Sequence, residues 1–265
     1  MNDRTGRALL RLATAAVLLF LYFPLGIVIA YAFNESGSSV WPPSALSLRW
    51  VEAAVANSGL REAFLTSLVA ALGATTIAMV LGTLASLAVA HHRFFGREAI
   101  SFLVIFPIAL PGIVTGMALS TTFATTSFPL GLFAIIVGHA TFCIVLVYNN
   151  VIARLRRVSA SLEEASADLG ADTWQTFRYV TFPSVRTAIL AGALLAFALS
   201  FDEVIVTIFV AGGVKTLPIW IFQSFRLANQ VALVNVAGIV AILLSAIPVY
   251  LATRLTSDAG AAGRG

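Results

Sequence analysis

The sequence predicts an all-α integral membrane protein with six transmembrane helices, and three observations carry that prediction. Of 265 residues, 59% are hydrophobic and only 11% are charged, against roughly 25% charged in an ordinary soluble domain. The deficit runs along the whole chain, which excludes a globular enzyme held by one anchor. Six apolar stretches are each long enough to cross about 30 Å of hydrocarbon at about 1.5 Å per residue. None shows the alternation of a barrel strand, so helices are expected.

The first stretch falls near 12–31. Arg4 and Arg7 precede it and "AYA" ends it, as in a secretory signal. Its apolar core of about 20 residues exceeds the roughly 7 to 15 of such signals, so a span is expected. The second, near 64–90, runs into His91-His92-Arg93, where interfacial anchoring is the simplest role. The third, near 100–122, carries Pro107 and Pro111, and Pro111 removes the donor that would pair with the Pro107 carbonyl. A passive kink and a broken helix lining a pathway both fit. In the second case Gly112 and Gly116 would admit a neighbouring helix closely. The fourth, near 130–148, contains His139, expected to be hydrogen-bonded within the bundle and not a metal ligand. The fifth, near 188–210, holds adjacent acids, Asp202 and Glu203, and the sixth lies near 231–251. Together they make one transmembrane domain over 1–265.

Basic residues orient the bundle. With the N-terminus inside, Arg4, Arg7, Arg11, Arg93, Arg97, Arg154, Arg156, Arg157, Arg178, Arg186, Arg254 and Arg264 fall inside. Arg49, Arg61, Lys215 and Arg226 fall outside. Twelve against four predicts both termini on the inner side.

One inner loop is large and polar, residues 152–187. Ser161 with Glu164 reads as a capping box opening "LEEASADL", and Gly170 suits the residue that ends that helix. Asp172 with Gln175 reads as a second box, opening "TWQTFRYVTF", with Pro183 as its stop. Leu162, Ala165 and Leu169 share one face of the first helix; Trp174, Phe177 and Val180 share one face of the second. Periodicity alone also fits a loop resting on the membrane or folded under its own bundle.

The spacing within this loop narrows the choice. Glu164-Ala165-Ser166, three residues, Gly170, nine residues, then Val180-Thr181-Phe182-Pro183 closely resembles the EAA signature of binding-protein-dependent ABC importer permeases. That signature reads E-A-A, three residues, G, nine residues, I-x-L-P; Ser166, Val180 and Phe182 are mild replacements. The resemblance implies a coupling-helix loop that docks on a separate ATPase subunit. It assigns coupling to Glu163, Glu164, Ala165, Asp168, Gly170, Ala171 and Pro183. Elsewhere "YFPLGIVIAYAFNES", "SLRWVEAA", "FPIALPGIVTG" and "SFDEVIVTIFVAGGVKTLPIWIFQSFR" resemble the polyamine importer branch, most of all its second, spermidine/putrescine-type permease subunit. Many polyamine-type permeases carry an acid after the second proline of the third span, where this chain has Gly112.

The family resemblance implies a complex: a homologous second permease, two ATP-binding subunits, an extracytoplasmic substrate-binding protein and the lipid of a bacterial inner membrane, with no nucleic acid. It implies no cofactor in this chain, ATP and Mg being bound by the partner ATPase subunits. "GGVKT" at 212–216 is no phosphate loop, because Val214 stands where glycine must precede the lysine. Cys143 is the sole cysteine, which excludes an internal disulfide and a cysteine metal cluster. No metal spacing or nucleophile set is present, so neither a metal site nor catalysis by the chain itself is expected.

The acid pair completes the candidate site. Asp202 lies fourteen residues beyond Ala188, about 21 Å along a helix. No basic residue falls in any predicted membrane core, leaving protonation, a partner's counter-charge or a passing cation to offset the charge. One reading makes Asp202 and Glu203 line a substrate pathway, with Phe201 and Trp220 offering aromatic faces to a cation. The other sets the acids at the joint with the partner permease. Rival solutes are opines, iron and thiamine. A stand-alone secondary transporter predicts inverted repeats, and none is evident.

Overall fold

A backbone placed in hydrocarbon must satisfy every amide internally, and the apolar runs do so as helices. The computed structural model describes residues 3–37, 41–43, 45–92, 94–159, 161–227 and 230–261. Arg93, Arg264 and the side chain of Arg4, counted above as inner charges, lie outside the described residues. In chain order the helices are α1 (Asp3–Ala32), α2 (Arg49–Ala56), α3 (Ser58–His91), α4 (Arg97–Ala109), α5 (Gly112–Thr125) and α6 (Leu132–Leu155). Then come α7 (Ser161–Asp168), α8 (Thr173–Thr176), a π turn (Phe177–Thr181), α9 (Phe182–Phe201), α10 (Ile205–Val210), α11 (Leu217–Ser224) and α12 (Val231–Ala261). Among the described residues, five helical stretches are long and apolar enough to cross a membrane, or six if the bent pair α4–α5 forms one span.

The chain divides into two units. Residues 1–61 and 220–242 form the first. There the apolar window of α1 is wholly exposed. The loop after α1 folds back through Ser47 N–H to Phe33 O (2.8 Å) and Trp50 Nε1–H to Asn34 O (2.9 Å). Residues 62–219 and 243–265 form the second unit. Its axis is α6, whose Ile135, His139, Cys143, Val147 and Val151 are buried. Helix α9 lies along α6 through alanines and Gly192, where an added Cβ would sit 2.8 Å from the Val147 Cα. Without a hydrophobic drive between lipid-facing helices, such close approach of small residues supplies the attraction. Ser101 of α4 bonds the Tyr148 hydroxyl of α6 at 2.9 Å.

Three sequence expectations change, and of the two readings of the third span the structure shows a broken helix. The third span breaks at Leu110–Pro111, both extended, and its halves bend by 107°. Pro107 stays inside α4; the residue before Pro111 is the one driven out of the helical region. The fifth span does not run unbroken to 210 but stops at Phe201 and resumes as α10. Pro183 does not stop its helix. The π turn shifts the bonding so that Phe182 N–H reaches Phe177 O, and helix continues from Thr173 to Phe201, a π bulge being a known way to accommodate an interrupted ladder. Finally, Ser161 is the first residue of α7 and not its cap: its N–H meets the Ser159 hydroxyl at 3.3 Å.

Candidate functional site

Two capped helices meet at Gly170. Gly170 N–H bonds Ala167 O (2.9 Å) and Ala171 N–H bonds Ser166 O (3.1 Å), the paired closure of a Schellman turn. Gly170 carries the required left-handed φ of +82°. Asp172 then caps the next helix, its Oδ1 accepting from Gln175 N–H at 2.7 Å while the Gln175 side chain accepts from Asp172 N–H at 2.9 Å. The Ser166 and Thr176 hydroxyls join the two arms at 3.0 Å. Glu164, Ala165, Asp168, Gly170 and Pro183 are exposed and Ala171 is half-buried. Leu169 and Trp174 stand 89% and 64% exposed, so the hairpin presents a rigid, partly apolar knob.

Glu163 turns the other way. Its Oε1 accepts from the Thr181 hydroxyl (2.7 Å) and from His91 Nε2 (3.0 Å), while His91 Nδ1 lies 3.0 Å from Leu87 O. Both partners of the ring are acceptors, so only the imidazolium can donate to both at once. Partial burial of Glu163 opposes its charge. The hydrogen bonds from Thr181 and His91, with the His91 charge, outweigh that and hold the carboxyl below its ordinary range. His91 is therefore a strut between the end of α3 and the hairpin, not the interfacial anchor expected from sequence. It and Thr181 are the residues that sequence reasoning missed; 72 residues separate His91 from Glu163, and no local pattern links them.

At the other end of α9 stands the acid pair. Asp202 is exposed and closes α9 with φ −96°, ψ 4°. Glu203 caps α10: its Oε1 accepts from Val206 N–H (2.9 Å) and its carbonyl from the Thr207 hydroxyl (2.7 Å). The run Val204–Thr207 is β-branched throughout, which weakens a continuous helix there. His139 of α6 spans the break, Nδ1 lying 2.8 Å from Ser200 Oγ before it and Nε2 2.9 Å from Thr207 Oγ1 beyond it. Because Thr207 spends its proton on Glu203, Nε2 is the donor to Thr207. Both ring nitrogens are hydrogen-bonded within the bundle, as the sequence led one to expect. His139→Leu should lower stability by about 1–3 kcal/mol, because a buried hydroxyl loses its partner. Thermal unfolding of the detergent-solubilised protein measures this; an unchanged midpoint would show that the ring does not staple the break.

The two breaks meet. An added Cβ on Gly112, directly after the first break, would lie 3.4 Å from Ile205, directly after the second, and one on Gly116 would strike the Phe209 ring. Gly112, Gly116, Pro111, Asp202 and Glu203 thus belong to one junction of α5 and α10. Two expected pathway residues are placed otherwise. Phe201 is 1% exposed, edge-on to Phe64 at 6.3 Å and stacked with Phe197 at 5.9 Å. Trp220 is 8% exposed. Each ring is covered by protein and presents no face to a cation in this conformation; burying aromatic area outweighed keeping it open.

Against known proteins, the profile of the family described as "Binding-protein-dependent transport system inner membrane component" matches residues 78–258. The chain is similar to the putrescine transport system permease protein PotI of Escherichia coli K12, 35% identical over 217 residues, 78% of this chain and 76% of that one. It is also similar to the spermidine/putrescine transport system permease protein PotC of Haemophilus influenzae, 30% identical over 242 residues, 91% and 93% of the two chains. In fold it resembles a chain of a bacterial ABC transporter that imports the acidic polysaccharide alginate, with a TM-score of 0.75, 14% identity and coverage of 97% and 96%.

Proposed function

Because the chain belongs to the family of binding-protein-dependent transport system inner membrane components and is a permease subunit of an ABC importer, we propose that it forms half of a pathway for a small cation of the polyamine class, putrescine or spermidine. It works beside a homologous permease in a bacterial inner membrane, with both termini and the hairpin around Gly170 on the inner side. Two ATP-binding subunits, which hold the ATP and Mg, grip that hairpin, and an extracytoplasmic binding protein delivers the solute. Closure of the ATPase pair on ATP pushes the hairpin and biases a two-state pathway between inward and outward access.

One observation carries the choice of solute: an exposed carboxylate, Asp202, stands at a helix break with no basic residue on its own span beyond Arg186, in a chain related to permeases named for putrescine and spermidine. A diamine or triamine meets an acid there with a charge-assisted hydrogen bond worth about 1.5–3 kcal/mol. Asp202→Asn should therefore raise the half-saturating concentration of the cation about tenfold or more. Glu203→Gln keeps an oxygen for the Val206 cap and should change it less. Uptake by the complete importer in proteoliposomes, with ATP hydrolysis followed over a panel of amines, amino acids and sugars, gives the test. Stimulation by a non-amine alone, or unaltered affinity in both variants, removes the polyamine reading.

A further inference from the structure

Three span ends surround a groove that the pathway does not use. The last turns of α6, the first turns of α9 and the far part of α12 enclose about 370 Å³ lined by Asn149, Asn150, Arg154, Arg157, Thr187 and Thr256. Two guanidinium groups line it and, among the described residues, no carboxylate does. Arg154 is fixed to the wall, its Nε–H donating to Ser184 O at 3.0 Å, while its terminal nitrogens make no hydrogen bond among the described residues. Arg157 is exposed, and neither arginine forms an ion pair among the described residues. Among the described residues, therefore, no acid compensates these charges.

The lining specifies the ligand. Guanidinium and amide groups offer many donors, which suits a group rich in oxygen acceptors and carrying negative charge, as a phosphodiester is. Depth points the same way. Helices of membrane-spanning length end here, which is where headgroups lie. Ala153, Ala188 and Leu255 complete the lining with small or apolar surface suited to a glycerol backbone. Basic pockets between transmembrane helices at this level bind anionic headgroups. We propose that this groove holds the phosphodiester headgroup of an anionic phospholipid, in the inner leaflet under the orientation proposed above. Inorganic phosphate shares the chemistry and is separated from the lipid by the experiment.

Arg157→Gln is the informative variant, since Arg157 holds no other part of the fold. The complete importer is exchanged into nanodiscs of phosphatidylcholine with phosphatidylglycerol, extracted, and its retained lipid counted by headgroup class. The wild type should retain phosphatidylglycerol in excess. Arg157→Gln should weaken that excess roughly fivefold, as expected for one basic residue at a charged membrane surface, and Arg157→Lys should keep most of it. Equal retention in the wild type and Arg157→Gln would overturn the proposal. So would displacement of the lipid by millimolar inorganic phosphate, which would assign the groove to a free anion. Efficient cross-linking of Arg157→Cys to the second permease would overturn it too, as the groove would then be a subunit joint. Lipid retention is read without transport, so these outcomes stand apart from the choice of solute.

Discussion

Gly170→Val should abolish coupled uptake if the hairpin couples as proposed: solute accumulation should fall at least about tenfold, and ATP hydrolysis should cease to respond to the loaded binding protein. The reason is torsional. An added Cβ at Gly170 meets nothing within 4 Å, so no clash is involved. A residue bearing a Cβ, however, loses about 1–2 kcal/mol at a left-handed φ, and a β-branched one fares worst. The cheapest relief is to unwind the turn. That breaks the bonds from Gly170 to Ala167 and from Ala171 to Ser166 and frees the angle between two capped helices. The knob proposed above to fit an ATPase cleft then has no fixed shape. Gly170→Asn, which tolerates this backbone region, should retain most activity. Matched uptake and ATPase measurements in proteoliposomes decide the matter; full coupling in Gly170→Val would mean that the hairpin's shape is irrelevant to drive.

The largest loss of stability is expected at Gly192→Val. A Cβ there lies 2.8 Å from the Val147 Cα and 3.3 Å from the Leu146 carbonyl oxygen. Backbone cannot rotate aside, so α9 and α6 must separate along the axis of the unit. Overpacking of a tight core costs about 1–3 kcal/mol, and here it also opens the surfaces that hold the helices together. Gly192→Ala should reduce the yield of monodisperse protein, and Gly192→Val should remove it. Gly116→Ala should be milder, since its obstacle is the Phe209 ring, which can turn. Gly238→Ala, whose nearest neighbour is Val28 at 3.8 Å, should match the wild type. Size-exclusion profiles after heating rank the four; Gly192→Val as stable as Gly238→Ala would contradict this account of the packing.

Spans and hairpin were legible because each rests on a local rule. Apolar length marks a span, and the cap of Asp172 with Gln175 and the turn at Gly170 are written in adjacent residues. What escaped depended on distance or competition. The break after Phe201 was hidden within a long apolar stretch, although Asp202, Glu203 and the β-branched run Val204–Thr207 were its available signs. Pro183 looked like a stop because only the three-dimensional path shows the bonding shifted by one residue before it. The strut from His91 to Glu163 joins distant elements. Phe201 and Trp220 were credited with open faces because composition cannot tell a ring that greets a ligand from one that fills a gap.

From Thr173 to Phe201 the chain is one helical run of 29 residues, about 43 Å from end to end. Under the proposed function it would work like the pushrod of an engine: a stroke delivered beside Trp174 would arrive beside Asp202 through continuous helix, softened only at the π turn. On that proposal, the stiffness of a single part would set the timing between fuel use and the opening of the far valve.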